Sequence, residues 1–242
     1  MTVSLPRRAG AEAIGAYALV TAGCGAIVVN SQTGALGHVG VALTFGLVIM
    51  VMITATGHLS GAHFNPAVTF AFALARHFPW RDLPAYIAAQ LVGAIGGALT
   101  LRALFGDVAA LGATVPSATA TRSFGLEVLL TAVLMFVITS VATDTRAVGQ
   151  LTAVAIGATI ALNALWGGPV SGASMNPARS FGPALASGVW DDHWVYWLGP
   201  LIGASFGGLL YGGLRATAQG AEPASDAPVA RRTQRRVGAR EG

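Results

Sequence analysis

Two asparagines in this chain, Asn65 and Asn176, each stand directly before Pro-Ala, and each closes a shared frame. The frames read Ser60-Gly61-Ala62-x-x-Asn65-Pro66-Ala67 and Ser171-Gly172-Ala173-x-x-Asn176-Pro177-Ala178. The chemistry this pattern supports is hydrogen bonding and electrostatics rather than bond making. Asn ahead of Pro reads as a helix N-cap followed by a first helical residue, where the N–H that proline lacks would have been unpaired in any case. Each amide supplies N–H donors without a charge, and each helix start carries a partial positive charge. If the two starts meet, a water or hydroxyl solute accepts from both amides and is oriented by them. Cations and protons meet an electrostatic barrier at the same place.

The elements that must position these asparagines are membrane helices. Of 242 residues, 54% are hydrophobic and only 10% charged, with a mean hydropathy of +0.64, well below the charge fraction of soluble domains. A span needs roughly 20 apolar residues, and six segments qualify: 10–29, 39–57, 84–105, 124–143, 148–167 and 194–215. The segments that follow the two asparagines, 66–75 and 177–186, reach only about 15 Å as helix. They are expected to be half-helices entered through loops that a protein-lined or watery cavity must solvate.

All 14 basic residues are arginine, and the topology puts Arg7, Arg8, Arg76, Arg81, Arg146, Arg215 and the tail arginines on one side. That side is expected to be cytoplasmic, with both termini there. The high pI follows from the Arg-rich tail, so no nucleic-acid partner is expected. Arg7-Arg8 before an apolar run resembles a secretory leader, and Thr21-Ala22-Gly23-Cys24 resembles a lipoprotein cleavage box. Glu12 interrupts the run, however, and Thr21 stands where such boxes prefer a larger apolar residue, so the segment is expected to remain as the first span. The lone cysteine, Cys24, excludes an internal disulfide. The expected organisation is a cytoplasmic N-terminus (1–9), a membrane domain (10–216) and a disordered cytoplasmic tail (217–242).

The membrane domain is a duplication. A shift of 111 overlays the two Asn-Pro-Ala frames, a shift of 110 overlays Leu91-Val92-Gly93-Ala94 on Leu201-Ile202-Gly203-Ala204, and Glu12 and Glu127 stand 115 apart. Each repeat, about 10–106 and 123–216, holds three spans and one half-helix. An odd number of spans inverts the second repeat, so the half-helices enter from opposite faces and meet near the midplane. Gly93 and Gly97, then Gly199, Gly203 and Gly207, are expected to let the third and sixth spans pack closely against neighbours.

With both boxes, Gly57-His58-x-Ser60-Gly61-Ala62-His63 before the first and Arg179-Ser180-Phe181-Gly182 after the second, residues 10–215 resemble the aquaporin, or major intrinsic protein, family. The resemblance implies an all-α bundle of six transmembrane helices with two re-entrant half-helices. It further implies a pore through each subunit and a homotetramer in a cell (inner) membrane. The stretch from Leu162 to Asn176 is similar to that of nodulin-like intrinsic proteins, here expected in a bacterial member.

Arg179 is the one arginine that this topology sets in the membrane-embedded wall. Burial there costs at least about 2.5–3.5 kcal/mol on insertion scales, so it should line a polar passage. By resemblance it forms a selectivity filter with Phe45, Ala164 and Ala173. Water-selective members usually carry His at the Ala164 position and often Cys or Thr at the Ala173 position, so two alanines imply a wider opening. That opening would admit water with glycerol, urea, ammonia or undissociated metalloid acids. Ser180, Ala184 and Tyr196-Trp197 point the other way, towards a strictly water-selective pore.

Glu12 and Glu127 lie in spans, where an ionisable side chain is either paired or functional. The resemblance implies that they hold the half-helix loops with carbonyls turned to the pore. His63 reads as a loop brace, with a titrating group at the pore mouth as the alternative, and Met175 reads as packing. A secondary transporter with inverted repeats is a more distant alternative, but it needs a coupling-ion site and few intramembrane carboxylates are present. No metal-ligand spacing, cofactor-binding loop or catalytic constellation is found, so no metal, no cofactor and no enzyme activity are expected.

Overall fold

The computed structural model describes residues 3–144 and 151–220. Eight helices and no strand occur among them. The first, α1 (Leu5–Thr33), contains a π-helical turn at Val20–Cys24 and exceeds the expected span at both ends. Then come α2 (Gly37–Ser60), the half-helix α3 (Pro66–Leu74), α4 (Leu83–Phe105) and α5 (Ala120–Thr143). The chain continues with α6 (Thr152–Ser171), the half-helix α7 (Pro177–Ser187) and α8 (Val195–Gly220). Helix α8 extends into the segment assigned to the tail, and residues 221–242 lie outside the described residues, as does Arg146.

Helices α1, α2, α4, α5 and α6 are long and apolar enough to cross a membrane. Helix α8 has the length but is diluted by glycines, which serve packing. Helix α6 carries the expected fifth span, 148–167, past its predicted end to Ser171, while residues 148–150 of that span lie outside the described residues. It passes through Gly167, Gly168 and Pro169, because the carbonyl that Pro169 leaves unpaired finds a donor on another helix.

The duplication is visible in the packing. Helix α1 lies along α4 and α5 along α8, and each half-helix crosses to the other repeat, α3 against α8 and α7 against α4. A Cβ at Gly93 would strike the carbonyl of Ala13, and one at Gly97 that of Tyr17. In the second repeat the same holds for Gly203 on Val128 and Gly207 on Ala132. Absent side chains thus let backbones touch, which is how helices associate where lipid offers no hydrophobic drive. Helices α2 and α6 cross at Gly46 and Gly157, each glycine facing the other's carbonyl.

Candidate functional site

Each asparagine caps its half-helix as the sequence predicts. Asn65 Oδ1 accepts from Ala67 N at 2.9 Å, while Asn176 Oδ1 accepts from Ala178 N at 3.0 Å and Arg179 N at 3.3 Å. The amide nitrogens then reach across the repeat boundary. Asn65 Nδ2 donates to the Met175 carbonyl and Asn176 Nδ2 to the Phe64 carbonyl, both at 2.8 Å. The two helix starts therefore meet. One N–H of each amide is used in this exchange, which leaves one on each for the cavity that both asparagines line. Pro66, Ala67, Pro177 and Ala178 are buried first-turn residues behind them.

Glu12 and Glu127 are fully buried and hold the entry loops in matching ways. Glu12 Oε1 accepts from Ser60 Oγ at 2.7 Å and His63 N at 3.0 Å, and Oε2 accepts from Phe64 N at 2.6 Å and Gln90 Nε2 at 2.8 Å. Glu127 Oε1 accepts from Ser171 Oγ at 2.8 Å and Ser174 N at 2.9 Å, and Oε2 accepts from Met175 N at 2.8 Å. In both loops the backbone is left-handed at equivalent places: Gly61, Ala62 and Phe64, then Gly172, Ala173 and Met175. Such residues are uncommon outside glycine and persist only when the surroundings over-determine them. Residues 61–63 and 172–174 border the cavity, the N–H groups of His63 and Ser174 turned to the carboxylates, those of Ala62 and Ala173 to the Ser60 and Ser171 hydroxyls, and those of Gly61 and Gly172 back to the preceding helix. Their carbonyls accept from no protein donor among the described residues.

His63 bonds Thr69 Oγ1 through Nδ1 at 3.1 Å and packs on Phe72, Phe78 and Tyr86. It braces the loop while bordering the cavity. Ser174 and Ser180, at 2.6 Å, are its counterparts in the second repeat, again 111 residues on. Met175 is buried, its sulfur accepting from Asn163 Nδ2 at 3.2 Å.

Phe45, Ala164, Ala173 and Arg179, the positions expected to form a filter, all line one cavity of about 430 Å³, which extends from Asn30, Ser31 and His38 at one end to Ala142 and Thr152 at the other. The Arg179 guanidinium carbon lies 4.8 Å from the centroid of the Phe45 ring, within cation–π reach. Its Nη1 donates to the Gly112 carbonyl at 2.8 Å, and the remaining guanidinium donors have no protein acceptor among the described residues. Ala164 and Ala173 line the same cavity and bring only methyl groups to it. Ile49, Ile53, Val68, Phe72, Leu134, Ile138, Ile156 and Ile160 line the same cavity and give it an apolar wall. The carbonyls of residues 61–63 and 172–174, without protein donors among the described residues, supply a stripe of acceptors at the edge of this cavity.

Three supports escaped the sequence reading. The π turn of α1 places Gly23 where a Cβ would collide with the Phe45 ring, so this glycine makes the seat for the aromatic. One residue on, Cys24 packs on Gly112, whose carbonyl holds Arg179. Gly112 closes a turn in which Ala109, Ala110, Leu111 and Gly112 all have positive φ. Thr114, just beyond it, borders the cavity and donates to Ser180 Oγ at 2.7 Å. The 111-residue shift from His63 and Thr69 offered a signal for Ser174 and Ser180, but nothing local marks Gly23 or Gly112.

Two half-helices meeting inside a continuous, partly polar cavity define a multi-pass membrane channel for water and small neutral solutes. The chain belongs to the major intrinsic protein family, whose pattern matches residues 1–211, and is accordingly a channel rather than an enzyme. Similar proteins include aquaporin NIP1-1 of Zea mays, 52% identical over 90% of this chain and 78% of the relative. Nodulin-26 of Glycine max is 48% identical over 89% of this chain and 81% of its own length. Among solved structures, an aquaglyceroporin from Plasmodium falciparum matches with a TM-score of 0.72 and 28% identity, covering 86% of this chain and 94% of the other.

Proposed function

We propose that this channel passes water together with uncharged solutes up to about the size of glycerol or urea, ammonia and undissociated metalloid acids included. Phe45, Ala164, Ala173 and Arg179 do the selecting. The carrying observation is that Ala164 and Ala173 present only methyl groups beside the Phe45–Arg179 pair, so no imidazole narrows the ring. The polar donors of Arg179 orient a hydroxyl or carbonyl group while Phe45 accommodates the carbon side. Similarity to nodulin-like intrinsic proteins and to the structure of an aquaglyceroporin supports the same range.

A strictly water-selective pore is the competing reading, drawn from Ser180, Ala184 and Tyr196-Trp197. None of the four borders the cavity, and Ser180, Ala184 and Tyr196 are buried. Ser180 bonds Ser174 and Thr114, and the Tyr196 hydroxyl donates to the Ser171 carbonyl at 2.7 Å. They shape the second loop without touching a solute, so the residues in the cavity wall carry more weight.

The paired Asn65 and Asn176 amides and the two helix starts exclude cations and protons. Both termini are cytoplasmic in a cell membrane, a reading that rests on the arginine bias. Assembly as a homotetramer rests on the family resemblance. Stopped-flow comparison of water, glycerol, urea and arsenite entry into reconstituted vesicles tests the solute range. Faster water flux with glycerol and urea entry no faster than in empty vesicles would establish the water-selective alternative.

A further inference from the structure

Helix α6 carries a built-in defect. Pro169 lacks an N–H, so the carbonyl of Leu165, four residues earlier, loses its intrahelical donor. His38, in the first turn of α2, supplies the replacement: its Nε2 donates to the Leu165 carbonyl at 2.8 Å. A notch beside that carbonyl admits the ring, since a Cβ at Gly168 would lie 2.8 Å from His38 Cε1. The side-chain donor, the vacant acceptor and the clearance thus come from separate residues that serve one contact.

The placement of this contact gives it a consequence. His38, Val41, Ala42 and Phe45 border the cavity along one face of α2, and Phe45 lies two turns below His38, about 10 Å at the helical rise. Ala164 is the residue next to Leu165. The bond therefore ties the helix that carries one filter residue to the turn that carries another. The same two helices are otherwise fixed together at Gly46 and Gly157, and Phe45 and Ala164 lie between the two points of attachment.

We propose that His38 is a positioning residue of the filter, setting the separation of Phe45 and Ala164 by supplying the hydrogen bond that Pro169 removes. This rests on the reading of those two residues as part of the selectivity filter. The Nε2–H is present in one neutral tautomer and in the imidazolium, so the tie survives protonation. Without it, the outer ends of α2 and α6 are free to part and the ring of four widens.

The test measures permeability for water, formamide, urea, glycerol and erythritol in vesicles of equal protein content. The readout is the ratio of the largest permeant solute to water. His38→Ala is expected to raise that ratio about threefold, within what one hydrogen bond of ordinary net strength supports. His38→Gln, which keeps an N–H donor at similar reach, is expected to stay near the wild-type ratio. Pro169→Ala returns an N–H to α6, so His38→Ala on that background should change the ratio less than on the wild type. An unchanged ratio in His38→Ala while Ala164→His lowers it would overturn the proposal and leave the filter reading standing. Equal shifts in His38→Ala and His38→Gln would also overturn it. No response to Ala164→His would instead remove the filter reading on which it rests. Should His38→Ala fail to fold alone, His38→Phe, which fills the notch without an N–H donor, takes its place with the same expected rise, and an unchanged ratio there overturns the proposal.

Discussion

Asn65 gives an amide hydrogen to the carbonyl of Met175 at 2.8 Å, 110 residues away and in the opposite repeat. Asn176 makes the reciprocal bond to Phe64. Each asparagine thus has three duties: its oxygen caps a helix, one N–H joins the repeats, and the other faces the cavity. Asn176→Asp separates them, because the carboxylate keeps the cap while losing both donors and adding a negative charge. The variant is expected to fold and to admit monovalent cations, read as a cation current in planar bilayers that the wild type does not show. A silent bilayer at equal water flux would mean that the amide is not part of the barrier.

Glu127 accepts from three donors at a site with no exposure. Glu127→Gln replaces one acceptor oxygen with an NH₂ group, which turns a donor towards the N–H of Met175. The expected loss is about 2–4 kcal/mol, from an orphaned buried N–H and weakened partners. Thermal unfolding in detergent should show a lower midpoint, together with reduced water flux as the carbonyl stripe is released. A midpoint equal to wild type would show that the loop holds itself.

Gly23→Ala places a methyl group where the Phe45 ring now rests. Overpacking of this kind costs about 1–3 kcal/mol. Phe45 borders the cavity, and the displaced ring is expected to move into it. Water and glycerol permeability should therefore fall together, unlike the change at Ala164, where the larger solute suffers more. Retention of both fluxes would show that α1 yields instead of the ring.

His193 lies between α7 and α8, its Nε2 buried without a hydrogen-bond partner among the described residues. Burial lowers its imidazole below the ordinary 6.5. For a base depressed in the folded state, the unfolded chain takes up the proton first. The site thus costs nothing well above pH 6.5, and the folded form loses stability as pH falls through the unfolded value, until the folded value is passed. An NMR titration of His193 with its midpoint at or above 6.5 would contradict this assignment.

Much of the fold was legible because it rests on local rules. The N-caps, the proline that follows each, the apolar run lengths and the repeat spacing gave the half-helices to within a residue and the span order outright. The fifth span was ended four residues early, at 167, just before Gly168-Pro169. Helix α6 continues through it since a histidine 127 residues earlier supplies the missing donor. The first span was drawn short at both ends, and its π turn had no local signature.

The same division runs through the site. The sequence alone determined that two neutral amides and one arginine would lie in a membrane interior, because caps, spans and charge costs act over a few residues or a bilayer thickness. Only the tertiary structure decided what holds them: Gly23 seating Phe45, Gly112 receiving Arg179, and Asn65 and Asn176 bonding the backbone ahead of the opposite repeat's half-helix. Those contacts depend on where distant backbones come to lie, and that is fixed by the packing of glycine-notched helices rather than by any pattern a short stretch of residues can carry.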